Sequence, residues 1–191
     1  MTMLRQTLAG LFLLLAFTVV LGLGYPLVMT GVGQVVFHSQ ANGSLVQQQG
    51  QDVGSSLIGQ EFTGTQWFHS RPSAGGYDAH ASGGTNLGPN SSDLVQAVEA
   101  ARARVAKQDG VSPADVPPDA VTSSGSGLDP HISPAYADLQ VARVARARGM
   151  TPAEVQSLVD DHTQGRILGF LGEPRVNVLE LNLALAAHAG G

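Results

Sequence analysis

The chain has 191 residues, and its 15 acidic and 10 basic residues give a net charge of −5. Because binding to nucleic acid requires a basic face, this balance argues against a nucleic-acid partner. Cysteine is absent and lysine occurs once, at Lys107, which excludes disulfides, thiolate metal sites and a phosphate-binding lysine of the Walker type.

The N-terminal segment reads as a membrane helix. Residues 8–23 contain only apolar residues, glycine and one threonine, and extension to Val28 gives 21 residues. A helix of that length spans about 31 Å, which matches a hydrocarbon core of about 30 Å. We therefore assign residues 1–38 to a membrane helix and its extension, and expect Pro26 to kink or end the helix. A cleaved signal peptide with Arg5 in its n-region is the alternative.

Two further expectations concern this helix. Arg5 is the only charged residue in the first 51, so the positive-inside rule places the N-terminus in the cytoplasm and residues 39–191 outside. Thr18 and Gly22 lie four residues apart, and this pair of small residues predicts close packing against another membrane helix.

The first half of the globular part is predicted to contain one helix and one strand. Residues 39–56 are rich in Gln, Gly and Ser and predict a linker, whereas residues 65–68 predict a short strand. Residues 73–92 are too rich in glycine for a regular element. Ser92 then begins a helix, with apolar residues at a spacing of three and four, that ends at Gly110.

The second half predicts three more elements and leaves a fourth open. Residues 120–122 predict a strand, and residues 123–133 a loop. Ser133 caps a helix to Arg148, and the Thr151-Pro152-Ala153-Glu154 capping box begins another to about Thr163. Residues 178–185 fit either a strand or a helix. Together these elements predict a mixed α/β domain behind one membrane helix.

Two loops are candidates for chemistry. The first could bind a nucleotide phosphate through backbone N–H groups, although it matches no standard phosphate motif; its candidate residues are Ser82, Gly83, Gly84, Asn86 and Gly88. The second holds Ser126, Gly127, Asp129 and His131, which we interpret as a structural or partner-contact loop. A Ser126–His131–Asp129 hydrolase site is the alternative, which the close sequence spacing disfavours.

Other polar residues predict no site. The six histidines lack the spacing of a helical metal site, so no metal is expected. His69 is expected to pack or to form hydrogen bonds. Arg143, Arg146 and Arg148 are expected to lie on a solvated helix face.

Read together, several motifs resemble the C subunit of the Kdp-type potassium-transporting ATPases over nearly the whole chain. In chain order they are Gly24-Tyr25-Pro26-Leu27-Val28, Ser56-Leu57-Ile58-Gly59-Gln60, Phe68-His69-Ser70-Arg71-Pro72-Ser73, Ala81-Ser82-Gly83-Gly84-Thr85-Asn86-Leu87-Gly88-Pro89, Ser126-Gly127-Leu128-Asp129-Pro130-His131-Ile132-Ser133-Pro134 and Leu171-Gly172-Glu173-Pro174-Arg175-Val176-Asn177. The sequence departs from the expected pattern at residues 75–76 and 90–92, outside the most specific stretch, residues 126–134.

The resemblance implies a non-catalytic accessory subunit of a bacterial inner-membrane complex that imports potassium at the expense of ATP. Its implied partners are a channel-like potassium-binding subunit, a P-type ATPase subunit and the lipid bilayer. It implies no cofactor of the chain's own. ATP would be held by the ATPase subunit, whose ATP affinity this chain would raise as a catalytic chaperone. The sequence lacks the Asp-Lys-Thr-Gly motif of the phosphorylated subunit.

The predicted orientation conflicts with direct nucleotide binding, because a domain outside the cell cannot touch cytoplasmic ATP. An effect on ATP affinity would then be a coupling free energy transmitted through the membrane helices. Direct binding through residues 82–88 is the alternative.

Overall fold

The computed structural model describes residues 2–188. Residue 1 of the predicted segment 1–38 and residues 189–191 of the predicted segment 39–191 lie outside the described residues. The chain divides into two compact units, with the boundary between Leu45 and Val46. Each unit is built from different elements.

The first unit is mainly one long apolar helix. It consists of α1 (Thr2–Val19), a π-helical turn (Val20–Gly24) and α2 (Tyr25–Val36), and the short α3 (His38–Ala41) follows. Within the described residues, one helix, Thr2–Val36, is long and apolar enough to cross a membrane.

Of the two outcomes expected at Pro26, a kink or the end of the helix, the second is wrong. The chain remains helical to Val36, and the π-helical turn ends at Gly24, two residues before the proline. The Tyr25 N–H donates to the Val20 carbonyl oxygen, five residues back. Because proline lacks an N–H and its ring clashes with the carbonyl of residue i−4, a widened turn at this point accommodates it.

The second unit is mixed α/β, as predicted. Its helices are α4 (Ser92–Asp109), α5 (Pro134–Arg148), α6 (Pro152–Asp161) and α7 (Val178–His188), and its strands are β1 (Leu45–Gln48), β2 (Gln51–Ser55), β3 (His131–Ile132), β4 (Thr163–Gln164) and β5 (Arg175–Asn177). β1 and β2 form a hairpin, and the three short strands form an antiparallel sheet in the order β3-β5-β4. In this sheet Ile132 and Thr163 both oppose Val176.

The predicted helix signals are confirmed. Ser133 and Thr151 cap α5 and α6 through their hydroxyls, and Thr151 forms the complete capping box with Glu154. Gly110 and Gly149 end α4 and α5 in the left-handed conformation. α6 ends at Asp161, two residues before the predicted end.

The ambiguous segment after β5 is a helix, α7. Asn177 supports its start, because the Asn177 side-chain oxygen accepts the N–H of Glu180 at 3.2 Å. Leu181 and Leu185, one turn apart, are fully buried. They pack in one hydrophobic core with Val144 of α5 and Val155 of α6.

Three loop and strand predictions are wrong. Residues 39–56 contain α3 and the β1–β2 hairpin instead of an open linker. Ala120 ends a 3₁₀ turn, Pro118–Ala120, and Val121 and Thr122 continue as a turn and a bend, so residues 120–122 do not form a strand. The loop predicted over residues 123–133 ends in β3, which pairs with β5.

Residues 65–68 are also not a strand, because side chains instead of a neighbouring strand satisfy their backbone. The Asn182 amide accepts the Phe68 N–H and donates to the Phe68 carbonyl, both at 2.9 Å. Arg143 donates to the carbonyls of Thr65 and Trp67 at 2.7 and 2.8 Å. The segment thus obtains from two helices the hydrogen bonds that a sheet would otherwise supply.

Candidate functional site

The two loops singled out in the sequence lie against each other. We call residues 73–91 the first loop and residues 122–130 the second loop. The Gly83 N–H donates to the Ser126 carbonyl oxygen at 2.8 Å, and the Ser82 hydroxyl donates to the same oxygen at 3.2 Å. The Ser73 hydroxyl donates to the Gly127 carbonyl oxygen at 2.6 Å. The candidate nucleotide residues and the candidate contact residues therefore form one surface.

Glycine is required where the two loops approach each other. Gly127 has a φ of +69°, and a Cβ there would lie 2.8 Å from the Gly83 carbonyl oxygen. A Cβ on Gly84 would lie 3.2 Å from the Gly125 carbonyl oxygen. Real Cβ atoms avoid such distances, so any larger residue at Gly127 would separate the loops.

The rest of the first loop shapes the chain ahead of α4. Asn86 is exposed and adopts a left-handed φ of +53°, which asparagine tolerates better than most residues. The Gly88 carbonyl oxygen accepts the N–H of Ser91 at 3.0 Å, one residue before α4 begins.

Asp129 is the electrostatic centre of the second loop. One carboxylate oxygen lies 3.2 Å from an Arg71 guanidinium nitrogen. The other accepts the His131 N–H at 3.0 Å and lies 3.5 Å from the His131 ring Nδ1. Hydrogen bonding from the His131 side chain, with smaller contributions from its backbone N–H and the Arg71 charge, lowers the pKa of Asp129 despite partial burial. Asp129 is therefore a stable carboxylate that joins three parts of the domain.

A cleft of about 370 Å³ opens beside Asp129. Its charged and titratable lining residues are Arg71, Asp119, Asp129, His131, Glu173 and Arg175. The Asp119 carboxylate accepts both the backbone N–H and the hydroxyl of Ser133, at 2.7 and 2.9 Å, and so is committed to the start of α5. The lining mixes both signs of charge.

The structure does not assemble the hypothetical hydrolase triad. The Ser126 hydroxyl accepts the Leu128 N–H at 3.1 Å and lies 3.5 Å from the Ser124 hydroxyl, whereas His131 lies against Asp129. A nucleophilic serine needs a base within hydrogen-bond reach. Here the hydroxyl stabilises the local turn, as the structural interpretation predicts. Among residues 2–188, no group of three or more His, Cys, Asp or Glu side chains could hold a metal ion.

Thr18 and Gly22 lie on adjacent turns of the apolar helix. A Cβ on Gly22 would contact the Thr18 methyl group at 3.9 Å, and the Thr18 hydroxyl donates to the Leu14 carbonyl oxygen at 2.8 Å. Both residues on this face are small. The Thr18 hydroxyl is satisfied within the helix, so it is not an unpaired donor. Its packing against another helix stays a prediction.

The expectation that Arg143 lies on a solvated helix face is wrong. The side chains of Arg143 and Asp109 are 4% and 3% exposed, and their nearest atoms lie 2.6 Å apart. The Gln140 amide oxygen accepts from Arg143 and from the His69 N–H, both at 2.7 Å. This buried polar cluster fixes residues 65–69, and Arg71 follows two residues later. In the sequence, no local pattern distinguishes the buried Arg143 from the exposed Arg146 of the same helix.

His69 forms hydrogen bonds, as predicted. Its Nε2 lies 2.8 Å from the Gly64 carbonyl oxygen and its Nδ1 lies 3.0 Å from the Gln108 side-chain nitrogen. Nε2 must then donate and Nδ1 accept, which is the arrangement of a neutral imidazole. Burial lowers the pKa of His69 from 6.5, against the opposing effect of the Gly64 hydrogen bond.

The fold and the site define a small α/β domain that follows one helix of membrane-spanning length. Over residues 7–187 the chain matches the family described as "KdpC: K+-transporting ATPase, c chain". It is 60% identical over 189 residues to the "Potassium-transporting ATPase KdpC subunit" of Kineococcus radiotolerans, covering 98% of this chain and 96% of the relative. It is 55% identical over 185 residues to the proteins of the same name from Mycobacterium bovis and Mycobacterium tuberculosis, covering 95% of this chain and 97% of each relative.

The chain therefore belongs to the KdpC family. The predicted resemblance is confirmed, and the chain is an accessory subunit of a potassium-transporting ATPase complex.

Proposed function

We propose that the chain is a non-catalytic, single-pass subunit of an ATP-driven potassium importer in a bacterial inner membrane. In this proposal its N-terminus is cytoplasmic and its domain is extracytoplasmic. It stabilises the assembly with the channel-like and ATPase subunits and raises the ATP affinity of the ATPase subunit. The observation that carries the proposal is the family match, which covers both the apolar helix and the domain.

The loop contact favours an indirect effect on ATP over direct nucleotide binding. The Gly83 N–H already donates to Ser126, and the carbonyl oxygens of Ser124 and Gly125 lie where a Cβ on Gly84 would contact them. A phosphate-binding nest needs N–H groups directed at the anion, and carbonyl oxygens repel it. The first loop is thus arranged to contact the second loop, with less room for a phosphate beside Gly83 and Gly84.

The Asp129–His131 pair holds the second loop against neighbouring parts of the domain, so a change at this pair should affect the surface formed by both loops. Asp129 joins Arg71 to the second loop, and the Leu128 carbonyl accepts the Gly59 N–H at 2.8 Å. Replacing the pair should therefore loosen the surface formed by the two loops. We expect such a change to weaken assembly or coupling without touching the ATPase active site.

The test is an ATP titration of the purified complex carrying Asp129→Ala and His131→Ala. The matched control is Asp78→Ala with His80→Ala, since Asp78 and His80 form the same Asp-x-His pair while lying 54% and 97% exposed. We expect the Asp129 and His131 variant to lose this subunit from the complex, or to need more ATP for half-maximal potassium-stimulated activity. Activity like that of the control would count against the proposed role of the pair.

A further inference from the structure

The loop between β4 and β5 exposes a cluster of large apolar side chains. Ile167, Leu168, Phe170 and Leu171 are 57%, 79%, 69% and 49% exposed. We call residues 167–171 the apolar tip. Elsewhere in the described part of the second unit, large exposed apolar residues such as Leu57 and Val95 occur singly. Contiguous exposed apolar surface of this kind marks a site of interaction.

The backbone of the apolar tip is closed on itself. Ile167 and Leu171 exchange both N–H to carbonyl hydrogen bonds, each at 2.9 Å. The Phe170 N–H donates to Ile167 at 3.3 Å and the Gly169 N–H donates to Arg166 at 3.1 Å. Because these N–H groups are already hydrogen-bonded within the loop, the tip can be buried against a partner without leaving them unsatisfied. An ordinary exposed loop, with its N–H groups bound to water, lacks this property.

The turn also holds its side chains outward at a conformational cost. Leu168 adopts a φ of +55°, a left-handed conformation that is unusual for a branched residue, and Gly169 follows at +81°. Backbone strain of this kind is concentrated at functional sites in proteins. The result is a compact turn that presents Leu168 and Phe170 at its end.

The charges around the tip favour a protein partner over a lipid surface. Arg166 and Glu173 are the two charged residues of the loop, residues 165–174, and they form an ion pair at 2.6 Å, so the loop carries no net charge. Arg175 belongs to the mixed-charge cleft with Asp119. An anionic bilayer attracts unpaired basic residues, whereas residues after position 51 hold 9 basic and 15 acidic side chains.

We propose that the apolar tip docks into an uncharged, apolar pocket on another subunit of the ATPase complex, with Phe170 as its central anchor. Aromatic side chains buried in a partner's pocket commonly dominate binding at such interfaces. This inference rests on the chain's membership of the complex, which the family match shows, and it does not require an effect on ATP affinity.

The first test places a photoreactive benzoylphenylalanine at position 170 of the full chain within the membrane-bound complex. The control carries the same probe at Leu57, a single apolar residue that is 62% exposed. We expect irradiation to link position 170, and not position 57, to another subunit of the complex, identified by mass spectrometry. A product with lipid, a product with a second copy of this chain, or the absence of a cross-link would overturn the proposal.

The second test uses a double variant that carries both Leu168→Ser and Phe170→Ser. Its control is the single variant Leu57→Ser. We expect the double variant to be lost from complexes purified through the ATPase subunit, and the control to be retained. Unchanged unfolding of the full chain in detergent, followed by Trp67 fluorescence, establishes that the variant folds. Normal retention of the folded double variant would contradict the proposal. Neither test uses ATP, so each result is separate from the outcome of the ATP titration.

Discussion

At the residue scale, the domain depends on one buried ion pair. Arg143 and Asp109 are almost fully buried, and Arg143 also donates to the carbonyls of Thr65 and Trp67. Burying two charges is costly, and their attraction offsets that cost only when the remaining donors are satisfied. Here the further hydrogen bonds satisfy the guanidinium and, at the same time, position the irregular segment that leads to Arg71.

Arg143→Met should strongly destabilise the domain. The substitution leaves the Asp109 carboxylate buried without its partner, which typically costs about 3–5 kcal/mol. Arg146→Met is the matched control, because Arg146 lies on the same helix and is exposed. Denaturant unfolding of the full chain in detergent can be followed through Trp67, the only tryptophan. Equal unfolding free energies for the two variants would refute this account of the cluster.

The stability of the chain should fall as the pH drops through the titration range of His69. Burial lowers the pKa of His69 in the folded chain, so below the unfolded value of about 6.5 the unfolded chain binds the additional proton. The stability is therefore fully present above pH 6.5 and decreases towards the lower folded pKa.

The measurement compares unfolding at pH 7.5 and 5.5 for the unchanged chain and for His69→Gln. We expect the loss of stability on acidification to be smaller in His69→Gln. His80→Gln should behave like the unchanged chain, since His80 is 97% exposed. An identical pH dependence in all three proteins would show that His69 does not contribute.

At the element scale, the long helix combines an apolar surface with a small-residue face. The π-helical turn Val20–Gly24 accommodates Pro26 without ending the helix. Thr18 precedes this turn and Gly22 lies within it, and a Cβ on Gly22 would find only the Thr18 methyl group within 4 Å. Close approach of a second membrane helix is therefore possible at this point.

Gly22→Leu should weaken the assembly of the complex by filling this face. Gly10→Leu is the control, because it adds the same side chain to the same helix at a position with open space. The ratio of this chain to the ATPase subunit after purification is the readout. A normal ratio for Gly22→Leu would reject the role of this face in helix packing.

The elements that the sequence predicts well are those with local signals. The caps at Ser133 and Thr151 and the terminal glycines at positions 110 and 149 act within a few residues, and the structure confirms all four. The strand predicted at residues 65–68 fails because its backbone partners are Asn182 and Arg143, far away in the chain. No local pattern encodes such partners.

The candidate site shows the same division. The sequence singles out both loops, because glycine, serine and aspartate are unusual in such density. It cannot show that Gly83 meets Ser126 or that Asp129 meets Arg71, since these contacts join positions more than 40 residues apart. The sequence does not reveal the apolar tip, because the spacing of the apolar residues in 167–171 is also that of an ordinary short strand or turn.

At the scale of the whole molecule, an apolar helix and an acidic domain match a single family along almost their entire length. The described domain has two loops joined by hydrogen bonds, a cleft lined by both signs of charge, and the apolar tip, and we propose these as its surfaces toward other subunits. The proposed function rests on the family match, and in that proposal the chain stabilises the complex and affects ATP affinity indirectly, as a coupling free energy.

The most direct test of this claim titrates the purified full-length chain into a complex prepared without it, and measures the ATP concentration that gives half-maximal ATPase activity. We expect that concentration to fall by about fivefold or more, within the usual range of allosteric coupling, as the chain is restored. An azido-ATP probe added to the restored complex should label the ATPase subunit and leave this chain unlabelled. An unchanged half-maximal concentration, or label incorporated into residues 82–88, would contradict the account.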